Sequence, residues 1–231
     1  MRAKSEAPIR EAPSARRVEP PLVWQPSLFD DPSARTPPAN ATTPEATRRS
    51  LDADSWIEVH PDWIATPDDL LRDLLEDPTW QQRERWMFDK WVTEPRLTAE
   101  YRDFAAMPYP AIAAAAEALS RLYGVRFDGV WMNLYRDGHD STAWHRDRFA
   151  CRRPECIVPV LTLGATRKFL LRRRKGGPSF TFQPPSATLV VMGGRCQEDW
   201  VHSVPKQPTV AGMRVSGNFQ STEQSGAHLT D

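Results

Sequence analysis

The sequence predicts an α+β protein with a mainly β core, a barrel or jelly roll entered through two N-terminal helices. Three observations carry this. Beyond Gly124, short apolar segments recur between Gly, Pro and Asp turns; before it, two stretches carry helical patterning; and the first 50 residues sustain no period of 2 or 3.6. The chain of 231 residues is long enough for one domain with a real core and a tail. Hydrophobic residues at 40% and charged residues at 26% are globular values, while 22 prolines are many and crowd toward the N-terminus.

Residues 1–50, rich in Pro, Ala, Ser, Thr and Arg, have too little apolar surface to offset ordering entropy and read as a disordered tail. One apolar island interrupts it at Leu22-Val23-Trp24-Gln25-Pro26-Ser27-Leu28-Phe29. The folded domain is expected over 51–220, opening with a strand at Trp56-Ile57-Glu58-Val59. A helix follows with Thr66 as N-cap, Pro67 and Asp69 in the first turn, and Leu70, Leu71, Leu74 and Leu75 as its buried stripe. Residues 80–107, aromatic and of mixed charge, follow no clear period. Pro110 opens a second, Ala-rich helix that stops at Gly124. Strands are then predicted at 130–135, 157–163, 168–173, 179–182, 188–192, 200–204 and 214–219, and residues 221–231 read as a second disordered tail.

The formal charge of zero conceals a division: residues 1–50 carry +2, residues 51–110 carry −8 and residues 111–231 carry +6. A basic C-terminal half suits a polyanionic partner. Neither a signal peptide nor a membrane-spanning segment is visible, so a soluble, cytoplasmic monomer is expected. Cys151, Cys156 and Cys196 are odd in number and lack C-x-x-C spacing, which reads as free thiols rather than a disulfide framework or a zinc site.

The chemistry concentrates in Trp144-His145-Arg146-Asp147 and Trp200-Val201-His202-Ser203-Val204-Pro205. In an extended segment residues two apart share a face, so His145 and Asp147 can reach one ion while Arg146 points away. With His202 they make the two-His, one-carboxylate set that holds non-haem ferrous iron and leaves positions open. On the preceding strand Trp131, Asn133 and Tyr135 share a face; on the last, Arg214, Ser216, Asn218 and Gln220 alternate with Val215, Gly217 and Phe219. A guanidinium on the inward face must be paired, and a small dicarboxylate fits its fork, a protein carboxylate being the other partner open to it.

These blocks, Asn133-Leu134-Tyr135-Arg136-Asp137-Gly138, His145-Arg146-Asp147, Leu163-Gly164-Ala165-Thr166-Arg167-Lys168-Phe169, Met192-Gly193-Gly194, Gln197, Trp200 and His202-Ser203-Val204-Pro205-Lys206, resemble the AlkB family in order and spacing. The likeness runs from Glu94-Pro95-Arg96-Leu97 to Gln220. It implies a double-stranded β-helix (jelly roll) and an Fe(II)- and 2-oxoglutarate-dependent dioxygenase that uses O2 to remove alkyl groups from nucleic-acid bases. It implies iron on His145, Asp147 and His202, and 2-oxoglutarate on Asn133, Tyr135 and Arg214 with Ser216, Asn218 and Gln220 on the same strand face. Residues 80–107 would form the substrate lid, with Trp86, Phe88, Tyr101, Arg148, Phe149 and Arg167 as substrate contacts; Arg146, Arg152, Arg153 and the run Arg172-Arg173-Arg174-Lys175 are further phosphate candidates. Gln25-Pro26-Ser27-Leu28-Phe29 resembles the short peptide by which bacterial repair proteins dock on the sliding clamp, through Gln25, Leu28 and Phe29; folding back onto the protein's own core is the other reading of the island.

The chain departs from the family at two places. Gln220 stands where a second Arg commonly serves the co-substrate, and Phe149 stands where members that repair adenine and cytosine adducts often carry a carboxylate. A phenyl ring stacks but accepts no hydrogen bond from an exocyclic amine. A dioxygenase acting on a protein or small molecule, and a non-catalytic binder of damaged nucleic acid, are the competing readings.

Overall fold

The computed structural model describes residues 10–11, 46–87, 89–147 and 151–225. Its first half runs β1 (Arg10–Glu11), β2 (Thr47–Ser50), β3 (Ser55–His60), α1 (Pro67–Leu75), β4 (Arg83–Met87), β5 (Lys90–Thr93), β6 (Leu97–Tyr101), a 3₁₀ turn (Phe104–Ala106) and α2 (Pro110–Tyr123). The second half runs β7 (Gly129–Tyr135), β8 (Thr142–His145), β9 (Val158–Gly164), β10 (Phe169–Arg173), β11 (Ser179–Phe182), β12 (Leu189–Gly194), α3 (Cys196–Asp199), β13 (Trp200–Val204), β14 (Arg214–Gln220) and α4 (Thr222–Ser225). A seven-stranded sheet of order β2-β3-β12-β9-β14-β7-β6 and a four-stranded sheet of order β11-β10-β13-β8 make the jelly roll, and β1-β4-β5 form a small third sheet.

The period of two sorts each strand's residues between two cores. On β9, Val158 and Val160 pack with Phe169 and Leu171 of β10 and Trp200 and Val204 of β13, filling the space between the two larger sheets. Leu161 and Leu163 of the same strand face outward with Leu70, Leu71 and Leu74 of α1 and Ile112, Ala116 and Leu119 of α2. Covered on both faces, such a strand reads as a near-continuous apolar run. Each fully buried Leu contributes about 1.5–3 kcal/mol.

Both predicted helices form. Pro67 sits in the first turn of α1 beside Asp68 and Asp69, although the Thr66 side chain makes no capping bond. Gly124 ends α2 in the left-handed conformation at φ 63°, its N–H donating to the Ser120 carbonyl. Asp77, just past α1, accepts from the hydroxyls of Tyr101 and Tyr109, both at 2.7 Å, and so ties α1, β6 and the start of α2 together. Burial alone would raise its carboxyl; hydrogen bonds from Thr79, Tyr101 and Tyr109 overcome this and hold it below the usual range.

Three expectations need correction, and one unassigned stretch gains its elements. The folded part begins earlier than 51, because β2 pairs with β3 from Thr47 to Ser50. It also extends past 220: Gln224 is buried and clasps Ile157, accepting its N–H at 2.7 Å and donating to its carbonyl at 2.8 Å. Residues 80–107 hide three strands, since the β4–β5 hairpin presents no wholly buried face whose period could be read. Finally, Cys151 and Cys156 are not free thiols but a disulfide, with Cα atoms 6.0 Å apart. Their loop is pinned at both ends, Cys151 N–H to the Asp147 carbonyl and Cys156 N–H to the Gly194 carbonyl, each at 3.0 Å, a meeting that spacing alone could not reveal. Cys196 is a buried thiol, pushed by burial up to about 12. Among the described residues no helix is long and apolar enough to cross a membrane.

Candidate active site

Strand pairing brings the first two ligand candidates together: β13 runs antiparallel to β8 with His202 opposite His145. Asp147 follows two residues after β8 and is 2% exposed. His145 Nε2 lies 3.3 Å from Asp147 Oδ1 and His202 Nε2 lies 3.2 Å from Asp147 Oδ2, and the three candidate ligand atoms all fall within 4.8 Å of one another. The His145 Nδ1–H donates to the Ala143 carbonyl at 2.8 Å, which leaves the Nε2 lone pair facing the site. The Phe169 ring stacks on His202 at 5.3 Å.

The charges are arranged for a cation. Burial alone would raise the Asp147 carboxyl, but the two imidazoles hold it well below the usual carboxylate range, so it stays ionised. Burial pushes His202 down, toward the neutral ligating form, while for His145 the effect of burial is outweighed by the Asp147 carboxylate and the pKa rises. Two side-chain amides fix Asp147: its N–H donates to Gln197 Oε1 at 2.8 Å, and Asn218 Nδ2 donates to its Oδ2 at 2.8 Å. Two imidazoles and an oriented carboxylate are a donor set that ferrous iron fits.

Next to this set the large sheet presents its inward face. β14 pairs with β7, Arg214 opposite Tyr135, Ser216 opposite Asn133 and Asn218 opposite Trp131. Arg214 is 1% exposed, yet among the described residues its hydrogen bonding is limited to Nη2 on Thr162 Oγ1 at 3.0 Å, and Nε and Nη1 meet no partner there. Burial, with Arg167 nearby, pushes this guanidinium down to about 10. A buried cation with two idle donors calls for an anion, which a dicarboxylate supplies. Tyr135, whose ring lies 5.7 Å from the guanidinium carbons of Arg214 and of Arg167, shares a hydrogen bond with Thr142 at 2.9 Å.

Asn133 is held by residues that sequence reasoning left without a role. Its Oδ1 accepts from Arg96 Nε at 2.9 Å and from Trp131 Nε1 at 3.3 Å, which orients its amide and leaves the NH₂ to donate. Arg96 in turn pairs with Glu94 at 2.9 Å, and Glu94 pairs with Arg85 of β4 at 3.0 Å. A chain of charge therefore joins the β4–β5 hairpin to Asn133; its only signal was Glu94-Pro95-Arg96-Leu97, where the likeness begins. Ser216 and Asn218 are buried on the same face, whereas Gln220 is half-buried at the far end of β14 opposite Gly129.

The expected substrate contacts divide. Trp86 is 43% exposed and meets Trp91 edge to face at 5.6 Å on the hairpin. Tyr101 is instead a packing residue, its hydroxyl on Asp77 and its ring edge-on to Tyr109. Arg167 is no phosphate contact: it is wholly buried and donates to the carbonyls of Asp137, Asp140 and Pro205 at 2.8–2.9 Å, binding together the loops around Tyr135. Gly138 lies in that junction, where a Cβ would come 1.8 Å from the Gln207 carbonyl oxygen. Of the basic run, Arg173 pairs with Asp52, Arg174 with Glu198, and Arg172 covers the Trp144 ring at 4.1 Å. Arg146 also pairs with Glu198, at 3.6 Å, and Arg152 and Arg153 are exposed. Phe88, Arg148, Phe149 and the clamp-like residues Gln25, Leu28 and Phe29 lie outside the described residues.

A jelly roll with two histidines and a carboxylate between its sheets defines a non-haem iron oxygenase site, and residues 69–219 match the 2OG-Fe(II) oxygenase superfamily. The chain is 27% identical to human "Alpha-ketoglutarate-dependent dioxygenase alkB homolog 3" over 92% of its own length and 75% of that protein's. It is 28% identical to the bovine protein of the same name over 70% and 64% of the two lengths, and 28% identical to the Arabidopsis thaliana "DNA oxidative demethylase ALKBH2" over 48% and 43%. The chain thus spans less than two thirds of the bovine and plant relatives. It belongs to the 2OG-Fe(II) oxygenase superfamily and, within it, to the AlkB family. Its cofactor is accordingly ferrous iron, with 2-oxoglutarate and O2 as co-substrates.

Proposed function

We propose that this protein oxidatively removes N-alkyl groups from damaged nucleic-acid bases, a DNA-repair activity. The observation that carries the reading is that β14 bears both Asn218, bonded to Asp147 of the His145, Asp147 and His202 set, and a buried Arg214 with two donors that no described residue engages. When bound, iron with 2-oxoglutarate supplies oxidising power drawn from O2, yielding succinate and carbon dioxide and hydroxylating the alkyl carbon, which then leaves as an aldehyde. The protein's own residues position and shield. His145, Asp147 and His202 hold the metal; Arg214 grips the distal carboxylate of 2-oxoglutarate; Tyr135 and the oriented amide of Asn133 donate to the same molecule. None of these residues need act as a strong base.

The substrate side rests on the relatives' names and on the hairpin. Trp86 and Trp91 offer exposed aromatic faces for stacking, and residues 80–107 would cover the nucleotide. A base must leave its stack to reach the iron, which costs least in a single strand. The Gln25, Leu28 and Phe29 segment would tether the enzyme to a sliding clamp, and the enzyme would act as a monomer in the cytoplasm. The test is formaldehyde release from methylated single- and double-stranded oligonucleotides. Wild-type release that disappears in Asp147→Ala is expected; activity surviving that change overturns the reading.

A further inference from the structure

We infer that Asn218 is a positioning residue for the metal centre: its amide locks the Asp147 carboxylate in one orientation and so sets how tightly the metal is held. The inference rests on the metal-centre reading above and adds a residue that lies outside the ligand set.

Asn218 sits on β14 with Arg214 and Ser216, on the face turned toward the smaller sheet, and is 6% exposed. Its Nδ2 donates to Asp147 Oδ2 at 2.8 Å across 71 residues of chain. The carboxylate has few other ways of being held. His145 and His202 approach Oδ1 and Oδ2 at 3.3 and 3.2 Å, but these rings are themselves ligand candidates whose lone pairs turn to a cation once one binds. Gln197 fixes only the backbone, through the Asp147 N–H. Among the described residues Asn218 is therefore the one side chain outside the ligand set that donates to the Asp147 carboxylate. A carboxylate free to rotate about its last bond presents either oxygen, or both; one engaged by an amide presents a defined lone pair, and such outer hydrogen bonds set ligand geometry and basicity.

A second observation separates this role from ordinary core packing. The Asn218 Oδ1 is buried and, among the described residues, has no partner. An amide kept only for packing costs stability when half satisfied, and an apolar side chain of the same shape would fill the position at lower cost. The same strand ends in Gln220, half-buried and opposite Gly129, so the neutral amide of Asn218, not a charged residue further along, meets the Asp147 carboxylate.

The test titrates cobalt(II) alone into full-length metal-free wild type, Asn218→Leu and Asn218→Asp, following the visible absorption of the bound ion, and measures each metal-free protein's melting temperature. Leu keeps the shape without the donor, and Asp replaces the donor by an acceptor. Cobalt affinity weakened about 10- to 100-fold in both variants, with the melting temperature of metal-free Asn218→Leu at or above wild type, is the expected result. Wild-type affinity in Asn218→Leu overturns the inference, as does loss of affinity that only accompanies a lower melting temperature in both variants. Failure of the wild type itself to bind cobalt overturns the metal-centre reading beneath it.

Discussion

Arg96 donates through Nε to the side-chain oxygen of Asn133 at 2.9 Å, and through Glu94 it joins the β4–β5 hairpin to the strand face proposed to hold the co-substrate. Arg96 is 9% exposed and its guanidinium continues through Glu94 to Arg85 on the hairpin. Arg96→Ala frees the Asn133 amide to turn. The 2-oxoglutarate KM is expected to rise about tenfold, near the 1.5 kcal/mol of one charge-assisted hydrogen bond, while cobalt affinity stays unchanged. Steady-state kinetics with 2-oxoglutarate varied, beside a metal titration, checks the split.

Arg214 is predicted to trade stability for function. No described residue engages Nε or Nη1 of its buried guanidinium, so Arg214→Met removes a charge that the described protein groups leave uncompensated. The metal-free, co-substrate-free variant should melt at or above the wild-type temperature, and added 2-oxoglutarate should no longer raise it. Differential scanning calorimetry with and without 2-oxoglutarate measures both effects; a variant still stabilised by the co-substrate would assign its distal carboxylate to another residue.

Asp77 makes stability depend on pH in a stated direction. Its folded-state carboxyl is held below the ordinary aspartate value, near 3.9 in an unfolded chain, so its stabilisation is fully present above that value and is lost as pH falls through the lower, folded one. Asp77→Asn should cost about 1–3 kcal/mol near neutrality, since the buried Tyr109 hydroxyl loses a charged acceptor. Denaturant unfolding of both proteins at a series of pH values should show the difference shrinking below about pH 4.

Trp86 should matter to substrate and not to folding. It is 43% exposed, so Trp86→Ala leaves the melting temperature unchanged. If the ring stacks on a base, affinity for a methylated single-stranded oligonucleotide falls by about 1–3 kcal/mol. Fluorescence anisotropy at fixed salt reads the change, and unchanged binding would remove Trp86 from the substrate surface.

What the sequence disclosed follows the physics of each element. α2 was legible because Pro110 and Gly124 mark its ends chemically, and β14 because its polar and apolar residues alternate with the strand period. The set His145, Asp147 and His202 was legible as residue types at a spacing. The β4–β5 hairpin was not, because exposed strands carry no core face, and Arg167 was misread because nothing in a sequence tells a solvated guanidinium from one enclosed by three carbonyls. Likewise the contacts of Asn218 with Asp147 and of Gln224 with Ile157 span 71 and 67 residues, and only the closed jelly roll brings such pairs together.

The most direct test of iron- and 2-oxoglutarate-dependent dealkylation measures succinate and formaldehyde in the same reaction, with a methylated oligonucleotide and its unmethylated twin. The account predicts that each formaldehyde is accompanied by one succinate, that both vanish in Asp147→Ala, and that succinate falls sharply with the unmethylated strand. Succinate release indifferent to methylation, or formaldehyde formed without 2-oxoglutarate, would contradict it.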